Sequence, residues 1–416
     1  EQTRDGTIWI GTLYGLVNAT PELFLLYSSS NSALSNDSVN TFAESPTGDV
    51  WVGTQDGLNR LSANGLIDTV INDFTVPSIS DPSVMSLLSE DKGLWVGTFA
   101  GGLYFIPDDG TRPTRFTHDP LDPETLGSNG VTSIVRTSRG ELLVGTYRGG
   151  LNLVDERSGK VVRFQSDEDD DTSISNDNVI ALFEDSLGNV LVGTEDGLNV
   201  YHADDDTFTS YLSRRGDQYS LSSDLVWSFF EDSDLDVWIG TNSGGANLWR
   251  RNNRQGLLPV FEHYSSNINL PSTSVNAISQ DDSGAIWLSH NAGLTRLRKD
   301  RTLVRHFGLR DGLADSEFNV GASFKDSSGR VFFGGNRGFN VIDPQLISAQ
   351  ERIPSVSIAH VSVMNEPARL AVDKATAEPL LELDYQDSFV EIEFFSDSYA
   401  DPEKNRYAYK LDGVTA

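Results

Sequence analysis

"VWVGTQDGLNRL", residues 50–61, reads as a strand, a tight turn and a second strand. A short apolar run ends in Gly53-Thr54, and Asp56-Gly57 then supplies a pair suited to a turn that needs positive φ. The run "GLNRL" returns the chain. Outward from this stretch the phrase recurs. "WIGTLYGL", "WVGTQDGL", "WVGTFAGGL", "LVGTYRGGL", "LVGTEDGL", "WIGTNSGGA", "WLSHNAGL" and "FFGGNRGF" begin at residues 9, 51, 95, 143, 191, 238, 287 and 332, a spacing of 42 to 49 residues.

A period of that size belongs either to propeller blades or to helical-repeat arrays. The turn grammar excludes helices, because Gly and Asp punctuate the chain at the spacing of short strands. Each period reads as four strands. The first follows a Ser/Asn-rich loop, as in "SNDNVIALFED"; a polar turn such as "DSLGN" leads to the anchor strand; "GLNVY" is the third strand; an aromatic-bearing segment such as "FTSYLS" is the fourth. A four-stranded blade cannot bury both faces alone, and radial neighbours bury them mutually. Trp51, Trp95, Trp238 and Trp287 are therefore expected in the interblade core.

The anchor at 332 is followed by only one further strand before Pro344, so the last blade lacks its fourth. "LFLLYS" at 23–28 can supply it and close the ring without an exposed edge. The expected fold is all-β: a seven-bladed propeller of four-stranded blades over residues 21–347, followed by a partial immunoglobulin-like β-sandwich over 348–416. Residues 1–20 are expected to be the remnant of a preceding propeller; an eight-bladed ring is the alternative. The chain opens inside a repeat, with no leader-like segment, and reads as a piece of a longer protein.

Composition narrows the function. The 416 residues carry 31 Lys and Arg against 61 Asp and Glu, a net charge of −30. Such a surface repels phosphate backbones, so no nucleic-acid partner is expected. There is no cysteine, hence no disulfide, no thiolate nucleophile and no Cys-based zinc site. The six histidines, at 118, 202, 263, 290, 306 and 360, show no metal-ligand spacing, and no nucleophile elbow or phosphate loop is present. The acidic runs at 167–173 and 203–207 lack the loop grammar of a calcium site and read as solvated loops. No catalytic residue, metal or cofactor is expected. The "D-x-x-G-x-x-W" pieces are like sialidase turns, but the arginine cluster and tyrosine nucleophile of such enzymes cannot be placed.

From about Ile353 the Gly-Thr phrase disappears and longer alternating strands follow. The pattern "W-[IV]-G-T-x-x-G-L", after "S-x-D-x-V" and "E-D-S-x-G", resembles the two-component regulator propeller repeat. "EIEFFSDSYADPEKNRYAYKLDGV", with Tyr399, Tyr407 and Tyr409, resembles the opening of the triple-tyrosine domain that follows such propellers. Together they resemble the periplasmic sensor region of a bacterial hybrid two-component regulator. The resemblance implies a periplasmic ligand-sensing role, an oligosaccharide or other small molecule as ligand, a homodimer in the intact receptor, and attachment to the inner membrane through a helix beyond this sequence. A protein-interaction propeller, or a propeller enzyme such as a sialidase or lyase, is the alternative.

If the repeated letters build the ring, recognition falls to the letters that vary. The turns after the anchor strands and the starts of the first strands share one rim. The candidate ligand-binding residues there are Tyr147, Arg148, Trp227, Asn242, His290, Asn291, Asn336 and Arg337. Aromatic faces suit sugar rings, while amides and guanidinium forks suit hydroxyls and carboxylates. The replacement of Gly-Thr by Ser289-His290 has no evident packing reason in the sequence and is weighted toward function.

Overall fold

The structure is a computed structural model, and describes residues 8–19, 22–71, 79–254, 259–344, 346–347, 356–368, 370–372, 379–396 and 407. Seven four-stranded antiparallel sheets form one compact unit, Leu23–Pro344. The first strands are Val39–Glu44, Val84–Glu90, Val131–Arg136, Val179–Glu184, Val226–Glu231, Val275–Gln280 and Phe318–Lys325. We number the blades 1 to 7 in that order. Consecutive first strands touch, and the first strand of blade 7 touches that of blade 1, so the ring is closed. Blade 7 takes its outer strand, Phe24–Tyr27, from the start of the ring-forming chain; it pairs with Gly338–Ile342. This is the segment expected from sequence to close the ring.

The apolar core lies between blades. One cluster joins Val39, Phe42 and Val52 of blade 1 to Phe332, Phe339 and Val341 of blade 7. Another joins Trp95 and Leu103 of blade 2 to Val131 and Val144 of blade 3, and a third places Trp238 of blade 5 against Ile278 and Leu288 of blade 6. Trp95, Trp238 and Trp287 are fully buried; truncation of such a side chain typically costs about 3–5 kcal/mol. The anchor glycine is a close-approach residue: a Cβ on Gly240 would stand 2.6 Å from the Val275 carbonyl oxygen of the next blade.

The polar letters of the repeat each hold one joint. In "F-E-D-S-x-G" the Asp closes its own turn: Asp232 Oδ1 accepts the N–H groups of Asp234 and Asp236 at 3.0 Å, and its Oδ2 accepts the Trp238 indole N–H at 2.9 Å. Asp281 does the same with Ser283, Ala285 and Trp287. In blades 1, 4 and 5 the Glu reaches the Ser of the preceding blade, whereas Glu90 of blade 2 accepts from Trp95 and Arg136. Ser186 donates to Glu231 through N–H and Oγ at 2.9 and 3.0 Å, and Ser138 does so to Glu184. Ser327 of blade 7 donates to Glu44 of blade 1 at 2.9 and 2.6 Å, so the ring closes with the same joint. Between blades 6 and 7 the polarity is inverted, Lys325 Nζ donating to Asp282 at 2.9 Å.

The Asn of "GLN" is equally structural. Asn59, Asn152, Asn199, Asn247 and Asn340 are fully buried. Their side-chain oxygens accept the N–H of Ser35, Gly127, Ser175, Ser222 and Ala314 at 2.8–2.9 Å, pinning the loop that enters each blade. Blade 4 has Leu191 where an anchor Trp is common, so Asp185 lacks an indole donor. Arg254, from an irregular insertion in blade 5, fills that place: its buried guanidinium lies 3.0 Å from Asp185 and 2.8 Å from Glu231.

The second unit comprises the remaining residues. Ile8–Thr12 pairs with Gly15–Ala19 in a hairpin. Val356–Val363 pairs antiparallel with Glu366–Pro367 and Val390–Ser396 in a three-stranded sheet. Tyr407 packs edge-on against Phe394, with ring centroids 5.1 Å apart. Tyr399 and Tyr409 lie outside the described residues.

Candidate functional site

The first strand of each blade begins opposite the end of the second, as Val39 pairs with Thr54 and Thr54 with Gly57. Anchor turns and first-strand starts therefore share a rim. The first strands of all seven blades line a central cavity of about 520 Å³. Asn40, Met85, Thr132, Ile180 and Trp227 are among its lining residues.

Four polar residues at the first-strand starts tie neighbouring blades. Asn40 Nδ2 donates to the Val84 carbonyl at 2.9 Å, Thr132 Oγ1 to that of Val179 at 2.6 Å, and Asn319 Nδ2 to that of Val39 at 2.8 Å. Asn276 Nδ2 donates to the Phe318 carbonyl and to Asn291 Oδ1. Met85, Ile180 and Trp227 stand at the corresponding places in blades 2, 4 and 5 with apolar side chains. Trp227 is half-buried in the cavity wall, so an aromatic face is available to the channel.

Of the turn residues, Tyr147, Arg148, Asn242, Asn291, Asn336 and Arg337 are exposed on the rim. Asn291 is tied to Ser274 at 3.1 Å and to Asn276, and Arg337 lies 3.6 Å from Asp315. Arg148 stacks 5.0 Å from the centroid of the Tyr147 ring. Phe99, on the neighbouring turn of blade 2, is 58% exposed.

His290 departs from its expected place and the expectation is corrected. It is fully buried. Its Nδ1 accepts the Ala292 N–H at 3.1 Å, as Thr54 Oγ1 accepts that of Asp56 and Thr194 Oγ1 that of Asp196. The imidazole thus performs the turn-capping task of the repeat's Thr. Nδ1 as acceptor places the proton on Nε2, which donates to Thr295 Oγ1 at 2.7 Å; Thr295 in turn bonds His306 Nδ1 at 2.8 Å. Burial, and secondly the charge of His306, pushes His290 down to about 4. Ser289 stands where glycine is usual, its Oγ donating to the Ala277 carbonyl at 3.3 Å, and the facing first strand of blade 7 is bulged between Phe318 and Ser323. The substitution "SH" for "GT" is therefore a packing solution.

The residues missed from sequence are the buried Asn and the Glu–Ser joints. Their recurrence at fixed offsets was a readable signal, but each partner lies in another strand or blade. Among the described residues no cluster of three or more His, Asp or Glu is arranged to hold a metal ion. Among them, too, no helix is long and apolar enough to cross a membrane.

The architecture and rim define the class: a seven-bladed β-propeller with a variable, solvent-facing rim over a central channel. No family model matches the chain. It is similar to "Histidine kinase P4" of Formosa agariphila, with 26% identity over 147 residues, covering 34% of this chain and 11% of the kinase. The structure of a streptogramin B lyase matches with a TM-score of 0.58 and 14% identity over 77% of this chain and 97% of that one. At that identity the likeness is one of fold. The extracellular domain ascribed to a hybrid two-component system of B. thetaiotaomicron matches with a TM-score of 0.41 and 19% identity, over 96% of this chain and 64% of that one. The chain thus spans a small part of the kinase and less than two thirds of the B. thetaiotaomicron domain.

Proposed function

We propose that this chain is the extracytoplasmic ligand-sensing region of a two-component signalling receptor, and that it binds an oligosaccharide on the rim of the anchor turns. The observation that carries this is the division of labour in the repeat. Its Trp, Asp, Glu and Asn letters are committed to joints and core, while the turn letters remain exposed and chemically varied on one rim. The match to a histidine kinase supports a signalling role, and the two-component propeller motifs support the same placement. The tyrosine, amide and guanidinium groups of the rim suit hydroxyl-rich, cyclic ligands.

In the intact receptor two protomers would associate and pass the signal through a membrane helix to a cytoplasmic output module. A ligand biases that arrangement only through its differential affinity for two states. Calorimetry of the full sensor region against neutral and acidic oligosaccharides tests the reading, with sedimentation to follow dimerisation. Saturable binding without turnover is the expected result. Turnover of a glycan, or protein capture with no glycan binding, would replace it by the enzyme or the interaction reading.

A further inference from the structure

We infer that the turn of blade 3, together with its neighbour in blade 2, is a subsite for an anionic sugar residue. Arg148 would take the carboxylate or sulfate, while Tyr147 and Phe99 take the ring. This rests on the sensor reading above.

The first observation is conformational. Blades 2, 3 and 5 have a three-residue turn, with Ala100, Arg148 and Ser243 in the middle. Of these, only Arg148 has positive φ, at 62°. A bulky side chain in the left-handed region is strained, and persists only where its surroundings over-determine it. Here they do. The Arg148 N–H donates to Asn178 Oδ1, from the loop entering blade 4, at 2.9 Å. The Tyr147 N–H donates to the Gly130 carbonyl at 2.8 Å. Gly149 is wedged against Gly127, whose carbonyl carbon would lie 2.4 Å from a Cβ there. The fold therefore holds a guanidinium where a glycine would be easier.

The second observation is electrostatic. Among the described residues no carboxylate forms an ion pair with Arg148, as is also true of other exposed arginines such as Arg157 and Arg215; on the rim it differs in this from Arg337, which lies 3.6 Å from Asp315. The acid on the adjacent turn, Glu195, is taken up by Asn178 Nδ2 at 2.7 Å. The side chain instead rests on the Tyr147 ring, which orients it without neutralising it.

The third is the exposed aromatic pair. Tyr147 and Phe99 are 40% and 58% exposed. They flank Gly130, whose absent Cβ would stand 3.0 Å from the Phe99 carbonyl oxygen and 3.3 Å from Tyr147 Cβ. Two exposed aromatic residues whose backbones meet at Gly130, next to a guanidinium without an ion pair, suit a pyranose ring that carries an acid. Local positive charge on a strongly acidic chain selects such a group at contact range, where the bidentate geometry of Arg outweighs screened repulsion.

The test is calorimetry of the chain with tetragalacturonate, its methyl-esterified form and a chondroitin sulfate tetrasaccharide. The free acid or the sulfated oligomer should bind, and the ester more weakly. Arg148→Gln should cost about 10- to 150-fold in affinity for the anionic probe and flatten its salt dependence. Arg148→Gly should lose affinity equally while raising Tm, because it relieves the backbone, and that opposite pair of signs excludes misfolding. The acid and sulfate arms decide which anion is read. Equal binding of acid and ester, or anionic binding unchanged by Arg148→Gln, overturns the subsite and leaves the sensor reading standing. No binding of any probe overturns the subsite, and the wider panel then decides the sensor reading separately.

Discussion

His290 makes blade 6 acid-sensitive, and the size of the effect follows from its burial. In the unfolded chain the imidazole titrates near 6.5; in the ring, burial and the charge of His306 lower it to about 4. As pH falls through that window the unfolded state takes up a proton that the folded state refuses. Stability is therefore full above 6.5, declines between 6.5 and about 4, and loses nothing further from this residue below. Linkage gives a loss of about 2 kcal/mol at pH 5 and about 3 kcal/mol once both states are protonated. The perturbation is His290→Thr with Thr295→Asn, which restores the pair seen in blade 3, where Asn152 Nδ2 donates to Thr146 Oγ1 at 3.2 Å. His306, which burial also lowers, is kept in both proteins. Urea denaturation at pH 7.5 and pH 5.0 measures the difference, and carboxylate contributions common to both proteins cancel. The wild type should lose about 2 kcal/mol more than the variant on acidification. If both lose the same to within about 0.5 kcal/mol, the buried neutral imidazole is the wrong description.

Three further outcomes are expected. Arg254→Ala should destabilise by about 3–5 kcal/mol in urea titration, because it leaves buried Asp185 without its counter-charge; a loss below about 1 kcal/mol would mean water replaces the guanidinium. Glu44→Ala should cost about 1 kcal/mol, since Ser327 loses an acceptor at a joint that solvent reaches; no change would show that blade packing alone closes the ring. A chain beginning at Leu23 should keep the ring's melting temperature, whereas one beginning at Ser29 should melt lower and aggregate, having exposed the edge of Gly338–Ile342; equal melting would deny Phe24–Tyr27 its role.

The strand period, the interblade Trp residues and the closing strand were legible because each follows from a local pattern. A Gly-Thr turn, an Asp-Gly pair and an apolar alternation bind a residue to its near neighbours, and repetition seven times over leaves little freedom in how the units stack. The exposed rim was legible for the same reason, since its residues occupy the turn positions of that pattern. How side chains from different blades meet follows instead from the closed ring. Ser289-His290 looked like a functional departure, yet the partners Ala292 and Thr295 make it a cap. Arg148 and Arg337 occupy similar turns in the sequence, but Arg337 lies beside Asp315 while Arg148 is held on Tyr147 at positive φ. Arg254 completes an Asp turn 69 residues before it in the chain. Local pattern sets which way a side chain points; whether it meets a partner depends on the ring that brings distant residues within hydrogen-bonding distance.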